Sequence, residues 1–541
     1  MQKGNFIWGC LHKQNRVLTQ RTDLVWIILL LIAAVIVFTI NLGGLPLHDW
    51  DEGTVAQVAR EISRAPLGSL RWLFPTSVGG EEYHNKPPLM HILIAVNYSI
   101  FGVSNLTTRL PGAILTAISV PLLYGIGREI FRKRKAAIFS ALVYLTMLPV
   151  IRHGRMAMLD GAVVCFFMLM VLCVLRSRRD LRYCLGVGVG FGLICLTKGM
   201  LGVLLGSIAF AFLWWDTPRL LYSRYLWLGI FIGCTPIGLW YWAQWWRYGS
   251  TFTDVGIVDQ SLSRIWLPFE GHAQPPWFYL LEIIKYTAPW LLFFPASFKF
   301  TWENRNLSWA KLALIWSCVY LISISLMGTK LPWYVFPIYP SLALMVGAQL
   351  SEIDNLPLFS VYPRIWMRGL GLMSVIGIAG SIYFSQAKPV QPDLPLILAC
   401  VAGTMALSWI LAERGDNQFI KVLLWGSYLS LLLLMKSNYW LWQLNEAYPV
   451  EPVAQMIRNA NLGDSQVFTS FSYNRPSLNF YSDRIIASTP ANELKEKWKN
   501  SQKPYFLIKE SEIQQLQLTQ AEIIGKASDW TLVTKNSGNK A

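Results

Sequence analysis

Long apolar runs alternate with short polar segments over most of the chain, and that rhythm predicts a stack of membrane-spanning helices. Residues 1–23 are polar and carry Lys3, Lys13, Arg16 and Arg21; the apolar run 24–42 follows. That run is long enough to span, and no small-residue cleavage site comes after it, so it reads as an uncleaved first helix with its N-terminus inside. Residues 54–64 place Val55, Val58, Ala59 and Ile62 on one face, which predicts a short helix lying at the membrane surface. The segment 88–101 is apolar but short. If it crossed, the span 110–127 would deliver Arg128, Arg132, Lys133, Arg134 and Lys135 to the outer side, against the positive-inside rule. It is therefore read as re-entrant or interfacial, with 110–127 as the second span. Further spans fall at 136–151, 161–175, 183–197, 200–215, 225–245, 277–297, 311–327, 333–350, 367–385, 394–411 and 419–436, which makes about thirteen. Beyond 437 the chain turns polar. Segments 466–471, 504–508 and 530–534 read as strands and 451–459 and 492–499 as helices, so 438–541 is predicted to be a small soluble α/β domain after a membrane domain at 1–437.

Composition agrees with this picture. Of 541 residues, 54% are hydrophobic and 14% charged, too apolar a mixture for an ordinary soluble chain. The net charge of +16 could suggest nucleic acid. Its basic residues, however, sit in short clusters between apolar runs, as cytoplasmic loops do, and no nucleic-acid partner is expected. The eight cysteines form neither a disulfide framework nor a CxxC metal site. With thirteen spans the C-terminal domain falls outside, on the same face as the first outer loop, 46–109.

That loop is rich in acids: Asp49, Asp51 and Glu52 at one end, Glu81 and Glu82 at the other. Carboxylates are costly to hold beside a membrane unless paired, so a cluster of them points to chemistry, the plainer alternative being an acidic solvated loop. Lys86, Arg155, Asp160, Lys198, His272 and Lys330 fall at the outer ends of spans. Each taken singly could be a structural ion pair. Together, a carboxylate pair with several cations suits transfer of a group from a lipid-borne phosphate to a hydroxyl, the cations holding phosphate and one carboxylate acting as general base. There is no HExxH, no glycine-rich phosphate loop and no serine-hydrolase order. A transporter would also carry intramembrane charges, but repeated halves with broken helices are not visible.

Six ordered motifs and one loop carry a family resemblance. Asp51-Glu52 with Ala56, Arg60 and Glu61; Lys86-Pro87-Pro88-Leu89; Arg109-Leu110-Pro111; Arg155 to Asp160; Leu196-Thr197-Lys198-Gly199; and Lys330-Leu331-Pro332-Trp333-Tyr334 follow the family's order, and His272 opens a loop with Gln274-Pro275 and Trp277-Phe278-Tyr279. The chain resembles the aminoarabinose transferase branch of the membrane glycosyltransferases with the GT-C fold, relatives of the protein O-mannosyltransferases, over roughly residues 45–345. The resemblance implies an inverting transferase of the bacterial inner membrane. It would take a polyprenyl-phosphate sugar donor and a lipid A-like, other lipid or protein acceptor on the periplasmic face. It implies catalytic roles for Asp51, Glu52 and Asp160, with Asp51 as general base or acceptor-positioning group, and donor contacts from Lys86, Arg155, Lys198, Lys330 and Tyr334. The motif's tyrosine is Val55 here, the arginine before it is Thr54, and the glutamate before Lys-Pro-Pro is Asn85. That last change removes a zinc ligand of the aminoarabinose enzymes. Glu82, His84 and His272 are the residues that would rebuild a site for zinc or magnesium; the simpler reading is that His272 only hydrogen-bonds within its loop.

Overall fold

The computed structural model describes residues 2–536 except 269–270, 358, 389–390, 443–449, 464 and 472–473, with side chains described from residue 20 onward. Two compact units emerge. One comprises Met1–Leu42, Asn85–Pro87 and Gly112–Trp440; the other comprises Gly43–His84, Pro88–Pro111 and Leu441–Ala541. The sequence reading divided the chain once, at 437/438; here 441–541 fall in one unit with 43–84 and 88–111. The chain passes from the second unit to the first inside one continuous helix, Asn105–Ile130.

The first unit is a helical bundle. Among the described residues seven helices are long and apolar enough to cross a membrane: Gln20–Thr39, Asn105–Ile130, Arg224–Tyr248, Ser308–Leu326, Arg364–Gln386, Asp393–Glu413 and Phe419–Lys436. All seven coincide with runs read from sequence, but the count of thirteen full spans is not reproduced. The run 136–151 is two helices, Arg134–Leu145 and Leu148–Arg155, bent by 58° next to Pro149. Residues 277–297 break at Pro289 into Phe278–Tyr286, Trp290–Phe293 and Phe294–Glu303, because proline cannot continue a helical ladder. Tyr183–Lys198 and Leu201–Asp216 have 16 residues each. At about 1.5 Å per residue they fall short of a ~30 Å hydrocarbon core.

Small residues set how the helix carrying Lys198 packs. A Cβ on Gly188 would lie 1.9 Å from the Gly229 carbonyl carbon, and one on Gly192 would lie 2.6 Å from the Gly233 oxygen. Two small-xxx-small faces thus bring Tyr183–Lys198 and Arg224–Tyr248 into backbone contact.

In the second unit the surface helix expected at 54–64 forms as Asp51–Ser63. Its apolar face does not meet lipid: Val58 and Ile62 are buried with Tyr83 and with Ala95 of the helix Leu89–Phe101. The C-terminal domain is a five-stranded sheet of β1 (Val467–Thr469), β2 (Ile486–Ser488), β3 (Tyr505–Lys509), β4 (Ala521–Ala527) and β5 (Trp530–Lys535), in the order β2-β1-β3-β5-β4. β1 pairs parallel with β2 and β3, and β5 pairs antiparallel with β3 and β4. Alternation along β3 splits the core: Leu507 packs with Val453 and Ile457, while Phe506 and Ile508 pack with Leu494 and Trp498 on the other face. Three strands and two helices were foreseen; β2 and β4 were not. β2 has three residues, and β4 is mostly exposed with a register shift at Ile523/Gly525, so neither shows a clear apolar pattern.

Candidate active site

In the first unit, helix ends gather opposite charges. Asp160 opens the helix Asp160–Arg176 and Lys198 closes Tyr183–Lys198, each placed where the helix dipole favours its sign. Their side chains meet, with Lys198 Nζ donating to Asp160 Oδ1 at 2.6 Å in a nearly closed environment. Gly199 follows at φ +54°, a conformation that stops the helix and that a side chain would strain. The Lys198 ammonium also lies 5.3 Å from the centre of the Tyr334 ring.

Lys86 joins this group. It is packed round by protein atoms, makes no hydrogen bond or ion pair among the described residues, and feels Arg264, Lys198 and Asp160. Burial first, then the two neighbouring cations, lower its pKa from 10.5 to about 7. Arg264 was not anticipated from sequence. It lies on the short helix Ser263–Trp266, donates to Gln260 Oε1 at 2.7 Å and to the Tyr334 hydroxyl at 3.3 Å. Its loop is pinned by backbone bonds, Thr329 N to Arg264 O, Gly328 N to Ile265 O and Lys330 N to His272 O. A search for every cation on the outer loops would have included Arg264; a search for family motifs did not. Lys86, Lys198, Arg264 and Asp160 together are three cations with one carboxylate, the balance a phosphate would complete.

Other expected residues do different work. Lys330 Nζ turns back to the Met327 carbonyl and is not among the charges that act on Lys86. Arg155 is fully buried and donates to Val37 O at 2.7 Å, Ile40 O at 2.6 Å and Met435 O at 3.3 Å, stacked 4.5 Å over Trp440. It neutralises the carbonyl ends of two helices, Gln20–Thr39 and Phe419–Lys436, so a role in orienting substrate is not what its contacts describe.

The second unit holds the acidic motif. Glu52 and Arg109 are both 0% exposed and form a bidentate pair, Nε to Oε1 at 2.8 Å and Nη2 to Oε2 at 2.7 Å. Glu52 Oε2 also accepts from His48 N at 2.9 Å, and Arg109 donates to the carbonyls of Leu45 and Pro46, each at 2.7 Å. Glu52 thus holds the loop 45–52 in place, which leaves its carboxylate little freedom for proton transfer. Asp49 accepts from Ser477 N at 3.1 Å, Ser477 Oγ at 2.6 Å and Arg475 at 3.4 Å. Arg60 of the same motif donates to Phe480 O at 2.6 Å and pairs with Asp483 at 3.2 Å. Much of the motif therefore fastens the loop to the helix Pro476–Ser482. Asp51 is half-buried at the start of its helix.

Glu82 lies 3.4 Å from His84, while His272 is exposed and contributes its backbone carbonyl to Lys330. Among the described residues no three His, Cys, Asp or Glu side chains form a group able to hold a metal ion. Glu82, His84 and His272 therefore make no metal-binding group among the described residues.

Comparison with known proteins places the arrangement. The sequence model of the dolichyl-phosphate-mannose-protein mannosyltransferase family matches residues 85–242. An undecaprenyl phosphate-alpha-4-amino-4-deoxy-L-arabinose arabinosyl transferase of Pseudomonas fluorescens is 28% identical over 71% of this chain and 70% of its own length. One from Pseudomonas aeruginosa is 27% identical over 69% and 68%. The crystal structure of ArnT from Cupriavidus metallidurans bound to undecaprenyl phosphate superposes with a TM-score of 0.77, at 18% identity, over 95% of this chain and 98% of that one. This chain is a membrane glycosyltransferase of the GT-C fold, similar in sequence to the aminoarabinose transferases. In the transferase, the Lys-Pro-Pro, Arg-x-x-x-x-Asp and Thr-Lys-Gly motifs meet at Lys86, Asp160 and Lys198. The Asp-Glu and Arg-Leu-Pro motifs meet at the Glu52–Arg109 pair.

Proposed function

We propose that this transferase moves a sugar from an undecaprenyl-phosphate donor to a lipid A-like or other envelope acceptor, at the periplasmic face of a bacterial inner membrane and with inversion at the anomeric carbon. The observation that carries the reading is the cation-rich cluster of Lys86, Lys198 and Arg264 around the single carboxylate of Asp160. An acceptor hydroxyl attacks the anomeric carbon, the new C–O bond forms, and the bond to the phosphate oxygen breaks with its electron pair going to the leaving polyprenyl phosphate. Lys86 and Arg264 balance the charge of that phosphate, so its departure needs no general acid. Asp160 orients Lys198. Asp51 takes the hydroxyl proton: its neighbour Glu52 is committed to Arg109, and Glu61, further along the motif, is engaged by Gln57 and Arg64.

The names of the relatives favour aminoarabinose as the sugar; the family match over residues 85–242 favours a protein acceptor as second reading. Mass spectrometry of envelope glycolipids and glycoproteins from cells with and without the gene separates the two. With the purified transferase and undecaprenyl-phosphate sugar, Asp51→Asn is expected to abolish transfer while donor binding stays near wild type, and Arg264→Ala is expected to weaken donor binding. Full turnover by Asp51→Asn would remove the mechanism.

A further inference from the structure

A second cationic site lies at the other end of the helical unit. The helix Asp160–Arg176 carries Asp160 at one end and Arg176 at the other, where Arg176 and Arg179 meet Glu129. Near that basic end, Lys135 pairs with Asp354 and Asn417 donates to the Asp354 carbonyl. Several basic side chains here have a carboxylate: Arg128 and Arg134 share Asp23, Lys133 has Glu352, and Arg178 and Lys311 share Asp216. Arg364, Arg368 and Arg414 do not. Among the described residues they make no ion pair, yet they line one cavity of about 750 Å³ between the helices Arg364–Gln386 and Asp393–Glu413. Arg364 and Arg368 are four residues apart and share a face at the start of their helix, where the dipole adds to their charge. Glu413 is the one carboxylate in the lining.

Beyond Arg368 along its helix the lining changes from charged to apolar. Leu372, Val375 and the indole of Trp409 form it, and Gly371 leaves room beside that indole, since a Cβ there would touch the ring at 3.6 Å. Charge at the mouth and apolar walls below match an anionic headgroup with an acyl chain. We propose that this groove binds one anionic glycerophospholipid from the leaflet on the side of the basic loops, its phosphate serving as counter-ion to the three arginines. The site is separate from the Asp160–Lys198 cluster and does not depend on the transfer reaction.

The test uses the full chain purified in neutral detergent, with phosphatidylglycerol, phosphatidylcholine or undecaprenyl phosphate added, read by melting temperature and by native mass spectrometry. Phosphatidylglycerol is expected to raise the melting temperature and to remain bound as a single lipid, with phosphatidylcholine giving neither effect. Combined Arg364→Gln, Arg368→Gln and Arg414→Gln should remove both effects, and Arg305→Gln, on another exposed arginine, should keep them. Gly371→Leu fills the groove while leaving the arginines in place, and should also release the lipid with an unchanged melting temperature in lipid-free detergent. Equal stabilisation by phosphatidylcholine, retention of phosphatidylglycerol by the triple variant or by Gly371→Leu, or a response confined to undecaprenyl phosphate would each overturn the proposal.

Discussion

Replacing Glu52 by alanine separates a structural carboxylate from a catalytic one. The substitution leaves the Arg109 guanidinium in a position with no solvent exposure and takes away the two charge-assisted bonds at 2.8 and 2.7 Å. Breaking a buried pair from one side costs about 3–5 kcal/mol. Two charged hydrogen bonds at about 1.5–3 kcal/mol each give about 3–6 kcal/mol, which overlaps that range. Arg109 keeps the Leu45 and Pro46 carbonyls, which sets the loss at the lower end. The partner change has a different expectation. In Glu52→Leu with Arg109→Met no charge is left buried, so the part of the loss due to the stranded charge returns, while the Leu45 and Pro46 carbonyls and the His48 amide each lose a partner at about 1–3 kcal/mol. The assay is a double-mutant cycle of equilibrium unfolding in detergent, run beside sugar transfer on the same preparations. A coupling of at least about 2 kcal/mol between the two positions supports the structural role. If Glu52→Gln instead keeps wild-type stability and loses turnover, Glu52 acts on substrate and the assignment of the proton acceptor to Asp51 fails.

Two more outcomes follow from the geometry. Lys86 titrates near about 7 in the folded chain against 10.5 for a free lysine, so between those values the unfolded chain holds the extra proton and stability rises with pH. Lys86→Met should flatten that rise, and in the wild type the affinity for undecaprenyl phosphate should fall as pH climbs through about 7, a dependence that isothermal titration of the variant should lack. Gly53 sits where a Cβ would come within 2.6 Å of the Ser477 amide nitrogen, a backbone atom that cannot step aside. Gly53→Ala should therefore destabilise the unit by about 1–3 kcal/mol, measured by unfolding and by faster proteolysis around residues 473–485.

The spans were legible because twenty apolar residues in a row are a local property that needs no partner to be recognised. Where that property fails locally, so did the reading. Pro149 and Pro289 divide two runs that hydropathy alone treats as continuous. The face of Val55, Val58, Ala59 and Ile62 was visible as apolar, but periodicity does not say whether lipid or protein covers it; Tyr83 and Ala95 do. β2 escaped because parallel pairing with β1 comes from a distant segment and leaves only three residues in register.

By itself the sequence determined the membrane class, the order of the helices and the polar motifs from which a lipid-phosphate transferase is built, because hydropathy and motif spacing are written along the chain. Only the tertiary structure decided how those polar residues divide their work. Glu52, Arg109 and Arg155 are spent on holding backbone, while Arg264, in no motif, comes to Lys86 because its loop is bonded to residues 328–330. The physical reason is that a charge within a folded membrane protein is costly unless its neighbours compensate it, and which neighbours it meets is set by helix ends and loops that come together only once the chain has folded.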